Sequence, residues 1–383
     1  MKKKRVYLDY AATTPVDPRV IKSMRPFWSE KFGNTVSLHS FGREAKAALE
    51  NSRKKIADLI KAKSSEIVFT CSATESNNLA LKGVVESSGK KHIVISSIEH
   101  PCIMNSAEWL KGQGVEITKV SVDKYGFVNP LDVEKAITKN TALVSVIHAS
   151  NEIGAIEPIK EIGKICRAKG VPFHTDAAQT FGKLLIDVNK MNIDLLTACS
   201  HKIYGPKGAA CLFIRQGVGL NPILHGGGQE FGIRSSSVNV SAIVGFAKAA
   251  ELAEKEMESE NRRLISLRDK IISRALRIKG AYLTGHSEKR LPNSASFYFS
   301  FVEGESIILH LDLAGIASST GSACSSQKLE PSHVLLAIGL KPEQAHGSLR
   351  VSLGRFTTEQ EVDYFLKVLP KVIAKLRKIS PLK

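Results

Sequence analysis

The 383-residue sequence has few of the features that cross-link or anchor a chain. Its six cysteines are scattered without a Cys-x-x-Cys pair, so neither a structural zinc site nor a secreted disulfide framework is predicted. No apolar run approaches the ~18 residues of a membrane span. Asp9 interrupts the apolar stretch after the basic start, so no signal peptide is predicted. We therefore expect a cytoplasmic protein with reduced thiols and no membrane association.

The composition indicates a globular protein, with 43% hydrophobic and 24% charged residues. The length predicts about two or three domains. Lys and Arg number 54 against 37 Asp and Glu, a formal net charge of +17, but they are spread along helical patterns such as 53–63 and 367–378. That distribution favours solvated helix faces. No zinc-finger spacing, RNP-like aromatic motif or basic coiled coil accompanies the charge, which argues against a nucleic-acid partner.

Short β-branched runs alternate with helical patterns between residues 66 and 214, which is typical of a mostly parallel sheet with helices on both faces. Helices are predicted over 76–87 and 159–170. Ligands bind at the carboxyl ends of strands in such sheets. The runs predicted to be buried strands are 66–69, 92–96, 115–120, 142–147, 193–198 and 209–214.

A second, α+β domain is predicted after residue 229, where the pattern changes. A long charged helix is expected over about 241–278, and the C-terminal helix over 358–378. Strands are expected over 294–301 and 348–353. Residues 317–327 are almost all small, so they are predicted to form a mobile loop.

A lysine and an aspartate follow two of the predicted strands. Lys202, in SHKIYGPKG, precedes a Gly-Pro turn and could project into a cleft as a Schiff-base nucleophile, although most lysines are surface groups. Asp176, in HTDAAQ, is either a helix cap or the partner of a pyridinium nitrogen.

Two further segments leave a structural and a functional reading open. In FTCSATESNN, Ser72 and Glu75 have capping-box spacing, while the helix N-terminus with Thr74 could also bind a phosphate. Cys324 lies among small residues, so it is either an inert thiol or an exposed, reactive one.

Together these motifs resemble the cysteine desulfurases, which are fold-type I pyridoxal-phosphate enzymes of the class V aminotransferase group. The resemblance runs from Leu8 to about Leu376. It implies an α/β large domain over 15–255 with a mainly parallel seven-stranded sheet, and a smaller α+β domain formed by 1–14 and 256–383. The motifs that carry it are YLDYAATTP, GN with HSFGREA, ATESNNLALKG, EHP, NEIG, HTDAAQ, SHKIYGPKG, GGGQE, GSACSS, EPSHVL and SLRVSLGRFTTEQEVD.

The resemblance implies specific roles around pyridoxal phosphate. Lys202 would form the Schiff base, Asp176 would pair with the ring nitrogen, and His100 would stack on the ring and assist proton transfer. Thr74 and His201 would bind the phosphate, and Ser237 would reach it from the other subunit, which implies a homodimer. The residues expected to bind the cofactor are Ala73, Thr74, His100, Asn151, Asp176, Gln179, Cys199, His201, Lys202 and Ser237.

The resemblance also implies the reaction. Arg350 would hold the carboxylate of L-cysteine, with Asn34 and Asn151 beside the substrate, and Cys324 would receive the sulfur as a persulfide while L-alanine leaves. The acceptor would be an iron–sulfur scaffold protein or the tRNA-thiolation route. No metal site is expected, apart from Cys324 as a possible iron–sulfur ligand. A selenocysteine lyase, an aminotransferase and a cofactor-poor scaffold protein stay open as alternatives.

Several positions depart from the family pattern, on the phosphate side of the cofactor and at the expected dimer contact. The effect of these departures on the affinity for the cofactor stays open. The family residues are present at Lys202, Asp176, His100, Arg350 and Cys324. The departing residues are Ser150, Cys199, Phe231, Ser236, Ser237 and Val238.

Overall fold

The computed structural model describes residues 5–321 and 330–380. The strands in this part of the chain are β1 (Val6–Tyr7), β2 (Ile67–Thr70), β3 (His92–Ser96), β4 (Glu116–Val120), β5 (Thr141–Ser145), β6 (Phe173–Asp176), β7 (Leu195–Cys199), β8 (Ala210–Ile214), β9 (Ala281–Leu283), β10 (Ser294–Phe299), β11 (Ile316–Ala317) and β12 (Ser348–Ser352). The helices are α1 (Pro18–Met24), α2 (Pro26–Ser29), α3 (Ser40–Ile60), α4 (Ala73–Ser88), α5 (Pro101–Gly112), α6 (Pro130–Ala136), α7 (Ile159–Ala168), α8 (Val240–Ala275), α9 (Gly304–Leu313), α10 (His333–Ala337), α11 (Pro342–His346) and α12 (Glu359–Ile379).

Seven strands form the central sheet in the order β2-β8-β7-β6-β5-β3-β4. Neighbours from β7 to β4 are parallel, and β8 runs antiparallel to both β2 and β7. The predicted mainly parallel, seven-stranded α/β fold is therefore confirmed. The prediction that 115–120 is a buried strand is wrong: β4 is an edge strand with Glu116 and Lys119 exposed. Charged side chains on an edge strand oppose pairing with other chains.

Hydrophobic side chains cover both faces of this sheet. One cluster joins Val94 to Ile56 of α3 and Phe246 of α8. The opposite cluster joins Ile93 to Leu79 of α4. Adjacent residues of β3 enter different clusters because successive strand side chains point to opposite faces. The expected helices are present on both faces of the sheet, so the ends of the strands are the part that these helices do not cover.

A second core surrounds the three-stranded antiparallel sheet β12-β10-β9. The N-terminal strand β1 pairs in parallel with β11, and both strands contribute to this second core. Each of the two strands has only two residues, so no sequence pattern predicts their pairing. Helix α8 supplies Phe246 to the first core and Leu267 to the second. The proposed boundary at 255/256 falls inside this continuous helix, and the domain limits stay a prediction.

The segment predicted to be a mobile loop is only partly described. Residues 317–321 are held in place: Ser319 and Arg350 exchange backbone hydrogen bonds of 3.2 and 2.7 Å, and the Gly321 N–H donates to Ser348 Oγ at 3.2 Å. For these five residues the prediction is wrong, because backbone pairing compensates for the lack of large side chains. Residues 322–329, with Cys324, lie outside the described residues.

No helix in the described ranges is long and apolar enough to cross a membrane.

A buried ion pair fastens the 3₁₀ turn Glu230–Gly232 to α3. Arg53 donates to the Glu230 carboxylate at 2.6 and 2.9 Å, and both side chains are almost fully buried. We expect Glu230→Gln to lower the free energy of unfolding by about 3–5 kcal/mol, because it removes the buried counter-charge of Arg53 and leaves only its pair with the exposed Glu50. Urea denaturation measures this. Asp58→Asn, which breaks the exposed pair with Lys54, is the control and should cost less than about 1 kcal/mol. Similar losses for both variants would contradict the prediction.

Candidate active site

A cavity of about 420 Å³ lies at the carboxyl edge of the central sheet. β6 ends at Asp176 and β7 ends at Cys199, and α5, which follows β3, has His100 as its N-cap. The cavity is lined by Ala11, Ala12, Ser72, Ala73, Thr74, His100, Pro101, Cys102, Ile147, Asn151, Glu152, Asp176, Ala178, Gln179, Cys199, His201, Lys202, Gly321, His333 and Arg350.

Of the thirteen site residues that the resemblance implies, ten line this cavity and three do not. The Asn34 side chain accepts from the Val36 N–H at 3.2 Å in a separate, exposed segment. Ser237 lines another cavity, of about 290 Å³, together with Arg234 and Val238. Cys324 is not among the described residues. The ten are Ala73, Thr74, His100, Asn151, Asp176, Gln179, Cys199, His201, Lys202 and Arg350.

Lys202 ends the short 3₁₀ turn that follows β7, and its amine reaches back to the N-terminal segment. Nζ donates to the carbonyl oxygens of Ala11 and Ala12 at 2.5 and 2.7 Å. Gln179 Nε2 donates to the same Ala11 oxygen at 2.9 Å, while Gln179 Oε1 is buried with no partner among the described residues. The segment YLDYAATTP thus positions the Lys202 amine. Gln179 Oε1, nearby, is an acceptor that no described group uses.

Asp176 is fixed at both carboxylate oxygens. Oδ2 accepts from Asn77 Nδ2 at 2.7 Å and Oδ1 from the Ala178 N–H at 2.9 Å. Asn77 was not singled out in the sequence, although it lies one turn after Ala73 on α4 and is fully buried. The sequence did contain a signal for this contact: the helical spacing of ATESNN places Asn77 one turn after Ala73, on the side of α4 that meets the strand end.

His100 is the N-cap of α5, and its ring Nδ1 accepts from the Cys102 N–H at 3.2 Å. A nitrogen that accepts this bond carries no proton, so neutral His100 carries its proton on Nε2. Burial is the main cause that lowers the pKa of His100, and the charge of Lys202 adds to it against the opposing charge of Asp176. The ring is therefore neutral near pH 7.

The residues on the expected phosphate side are Cys199 and His201. Burial raises the pKa of the Cys199 thiol to about 11, and burial also lowers the pKa of His201 to about 4, so both are uncharged at neutral pH. The neighbouring Ser200 hydroxyl points elsewhere: a Cβ built on Gly205 would lie 2.0 Å from Ser200 Oγ. Ser200 therefore does not replace a hydroxyl at the Cys199 position.

The N-terminus of α4 opens into the cavity at Ala73 and Thr74. Ser72 Oγ accepts from the Glu75 N–H at 3.1 Å, which confirms the predicted cap. The Glu75 carboxylate does not complete the box; it accepts from the Cys71 N–H at 2.8 Å and pairs with Arg234 at 2.6 Å. First-turn N–H groups have no partner within a helix, so this end suits an anion.

Arg350 projects from β12 with its side chain almost fully buried. Its guanidinium donates to Asp9 Oδ1 at 3.0 Å and to the Asn151 carbonyl at 3.2 Å. Nε is buried and has no partner in the described part of the chain. A guanidinium with an unused N–H beside a cavity is suited to a carboxylate.

Two titratable residues that line the cavity were given no role in the sequence, although both lie in quoted motifs. Burial raises the pKa of Glu152, in NEIG, to about 7, and its Oε2 accepts from Ser332 Oγ at 2.5 Å. His333, in EPSHVL, has its Nε2 2.9 Å from the Glu99 carbonyl oxygen.

The donor set fits an anionic aromatic cofactor. The cavity offers an amine, a fixed carboxylate and a helix N-terminus, and Gln179 Oε1 and Arg350 Nε remain to be satisfied. Buried polar atoms without partners are costly in a finished fold, which points to a ligand here. Across residues 5–321 and 330–380, no group of three His, Cys, Asp or Glu side chains could hold a metal ion.

Comparison with known proteins gives the family. The profile described as Aminotransferase class-V matches residues 6–365. The chain is 53% identical over 378 residues to cysteine desulfurase IscS 1 of Archaeoglobus fulgidus, covering 98% of this chain and 99% of that relative. It is 51% identical over 384 residues to cysteine desulfurase IscS of Dictyoglomus turgidum, covering 100% of this chain and 98% of the relative.

Solved structures agree with the sequence relatives. A NifS-like protein superposes with a TM-score of 0.92 at 38% identity, covering 97% of this chain and all of that one. A structure of SspA in complex with cysteine gives a TM-score of 0.82 at 37% identity, covering 92% of this chain and 100% of that one. The chain belongs to the cysteine desulfurases of the class-V aminotransferase family.

Proposed function

We propose that this protein uses pyridoxal phosphate to convert L-cysteine to L-alanine and passes the sulfur to Cys324 as a persulfide. The observation that carries the proposal is one cavity that holds the Lys202 amine, the fixed Asp176 carboxylate and the unused N–H of Arg350. The related SspA structure contains cysteine, which supports the same substrate here.

The residues divide into those that hold the cofactor and those that work on the substrate. Bound pyridoxal phosphate supplies an electron sink for the bonds at the substrate α-carbon. Lys202 provides the amine for covalent attachment, Asp176 keeps a ring nitrogen protonated, and the α4 N-terminus receives the phosphate. His100, which caps α5, provides a flat ring at the cavity wall.

On the substrate side, Arg350 binds the carboxylate and Asn151 lies beside it. The Cys324 thiolate attacks the substrate sulfur: an S–S bond forms while the Cβ–S bond breaks, and its electron pair stays with Cβ. A proton then joins Cβ to give alanine. Cys324 with L-cysteine thus becomes Cys324 persulfide with L-alanine, and no external oxidant is needed.

We assign the exposed apolar groove near α3 to a homodimer contact. The groove, of about 800 Å³, has an apolar part formed by Val36, Leu38, Phe231 and Val238, with charged residues such as Arg43 beside it, and Leu38 is 89% exposed. Exposed apolar side chains that are grouped together and bordered by charged ones are typical of a protein–protein interface. The cavity that contains Ser237 shares Val238 with it, so a second copy here would bring Ser237 toward the partner's site.

The sulfur acceptor is best sought among acidic proteins, such as an iron–sulfur scaffold protein, because the chain carries a net charge of +17. Transfer to tRNA thiolation through another protein acceptor fits the same surface. The five described cysteines are free thiols, which fits a reducing cytoplasm.

The thiol at Cys199 predicts weakened cofactor binding. A thiol is a weak hydrogen-bond donor, and a bond to a charged group is worth about 1.5–3 kcal/mol, or roughly 10–100-fold in affinity. We expect Cys199→Ser to bind pyridoxal phosphate more tightly by up to about that factor, with kcat at saturating cofactor nearly unchanged. Equilibrium dialysis measures the dissociation constant.

Cys71→Ser, at an exposed cysteine outside the cavity, is the matched control and should leave cofactor affinity as it is. Equal dissociation constants for Cys199→Ser and the parent would contradict the prediction. A parent protein that binds no pyridoxal phosphate at all would favour the cofactor-poor scaffold.

The assay for the function itself is release of alanine from L-cysteine by the purified holoenzyme. Equimolar alanine and protein-bound sulfur are expected. Formation of an oxo acid instead would indicate an aminotransferase, and turnover of selenocysteine alone would indicate a selenocysteine lyase.

A further inference from the structure

A turn of the chain at the cavity wall is held by residues of the second core. The turn covers 151–154, the NEIG motif, and its first two residues line the cavity. Each of its four backbone carbonyl oxygens accepts a hydrogen bond from β12, from β10 or from the loop between β9 and β10. The donors are Arg350 Nη1 to Asn151 at 3.2 Å, Ser296 Oγ to Glu152 at 2.5 Å, Arg290 Nη2 to Ile153 at 3.2 Å and the Leu291 N–H to Gly154 at 2.8 Å. The position of the turn is therefore set by a part of the chain that is 137 or more positions away.

Arg290 is a buried arginine whose hydrogen bonds in the described part of the chain all go to backbone carbonyls. Nε donates to Ser294 at 2.9 Å, Nη1 to Thr284 and His286 at 3.3 and 3.2 Å, and Nη2 to Ile153. It forms no ion pair with any described carboxylate. A buried charge without a counter-charge is costly, so packing alone does not account for an arginine here. A planar guanidinium does hold several carbonyl groups in one fixed arrangement.

Two glycines allow the loop between β9 and β10 to approach the turn closely. Gly285 and Gly154 both have positive φ, at 76° and 77°. A Cβ built on Gly285 would lie 2.5 Å from the Ile153 carbonyl oxygen, and one built on Gly154 would lie 3.0 Å from Ser294 Oγ. The loop and the turn are thus in direct backbone contact around the carbonyl that Arg290 binds.

The turn in its turn orients Arg350, the residue proposed to bind the substrate carboxylate. The Arg350 guanidinium donates to the Asn151 carbonyl at 3.2 Å and to Asp9 Oδ1 at 3.0 Å. The Asn151 carbonyl lies two residues before the Ile153 carbonyl, so a shift of the turn would move one of the groups that orient Arg350. A misplacement of about 1 Å in a group that positions a substrate can cost about 10²-fold in rate.

We propose that Arg290 is a positioning residue for the carboxylate of L-cysteine: it fixes the turn 151–154, and the Asn151 carbonyl of that turn orients Arg350 for the substrate. This inference rests on the proposed function. Arg290 does not line the cavity, so it acts through the turn and not by contact with the substrate. The cofactor contacts of Lys202 and Asp176 do not involve the turn and should be unaffected.

Binding of the product and of its amide to the holoenzyme tests this role. L-alanine carries the carboxylate, and L-alaninamide has the same shape without the negative charge. We expect Arg290→Met to weaken L-alanine binding by about 10-fold or more, the equivalent of one charge-assisted hydrogen bond, and to leave L-alaninamide binding within about 2-fold. Pyridoxal phosphate content should be unchanged. The absorption change of the bound cofactor during titration gives both dissociation constants.

Arg377→Met is the matched control. Arg377 on α12 also donates to three backbone carbonyls, those of Ser300, Lys279 and Gly280, but none of these residues lines the cavity. This variant should leave both dissociation constants unchanged. A loss of L-alanine affinity as large as that of Arg290→Met would show that the effect is not specific to the turn and would overturn the proposal.

Ser296→Ala keeps the proposal testable if Arg290→Met fails to fold, because it removes only the hydroxyl that binds the Glu152 carbonyl. It should weaken L-alanine binding by about 2- to 10-fold and leave L-alaninamide binding unchanged.

A double-mutant cycle shows whether Arg290 acts through Arg350. In a protein that already carries Arg350→Met, Arg290→Met should have no further effect on L-alanine binding, because the carboxylate has lost the group that Arg290 positions. Full additivity of the two losses, an equal loss for L-alaninamide, or unchanged L-alanine affinity in Arg290→Met would each overturn the proposal. Failure of the wild-type holoenzyme to release alanine from L-cysteine would instead refute the proposed function, which the binding measurements do not require.

Discussion

Lys202→Ala should abolish the visible absorption of bound pyridoxal phosphate and the desulfurase activity together. The amine is held over the cavity by two backbone carbonyls, so no other group can take its place at that point. We expect a loss of more than about 1,000-fold, because a correctly placed intramolecular group is worth effective molarities of about 10⁵ M or more. Absorption spectroscopy and alanine release measure the two losses.

Lys207→Ala is the matched control, since Lys207 lies in the same SHKIYGPKG motif but is exposed. It should keep both signals. Borohydride reduction of the wild type should fix the cofactor to the peptide that contains Lys202. Fixation of the cofactor in Lys202→Ala to the same extent would contradict the assignment.

Cys324→Ser should keep the cofactor and bind L-cysteine, yet form no persulfide. Sulfur capture and cofactor chemistry rest on different parts of the chain, because Cys324 lies between Gly321 and Glu330 while Lys202 follows β7. A serine oxygen cannot replace the thiolate as the attacking nucleophile. We expect alanine release to fall to background, measured together with the spectral change on adding L-cysteine.

The other cysteines provide the control for this prediction. Cys71 is exposed, while burial raises the pKa of Cys102 and Cys166 to about 12, which keeps these thiols protonated. Cys71→Ser should therefore retain full persulfide formation. Surviving activity in Cys324→Ser would show that another cysteine receives the sulfur.

Sequence periodicity predicted the strands of the central sheet but not which of them lie at its edges. The run 92–96 is β3 to the residue, because a strand buried on both faces is continuous in β-branched and apolar residues. The run 115–120 mixes Val and Ile with the charged Glu116 and Lys119, and β4 has only one neighbour in the described sheet and is half exposed. Strand order is a tertiary property that composition does not encode.

The site was predictable where a motif ends a strand, and not where a distant segment closes the cavity. Asp176 and Lys202 follow β6 and β7, so both fall at the ligand-binding edge. The contacts of Lys202 with Ala11 and Ala12, and of Arg350 with Asp9, join the N-terminal segment to residues 190 or more positions away. The place of His333 at the cavity was not predicted for the same reason, since its contact with the Glu99 carbonyl oxygen spans 234 positions.

A single-turnover reaction of the purified holoenzyme with L-cysteine, in the absence of any thiol acceptor, tests the central claim most directly. We predict one alanine per active site and a mass increase of one sulfur atom on the peptide that contains Cys324. Alanine and sulfur should appear in equal amounts, and a reductant should remove the added mass. Alanine release with no sulfur on Cys324, or no alanine from a protein saturated with pyridoxal phosphate, would contradict the account.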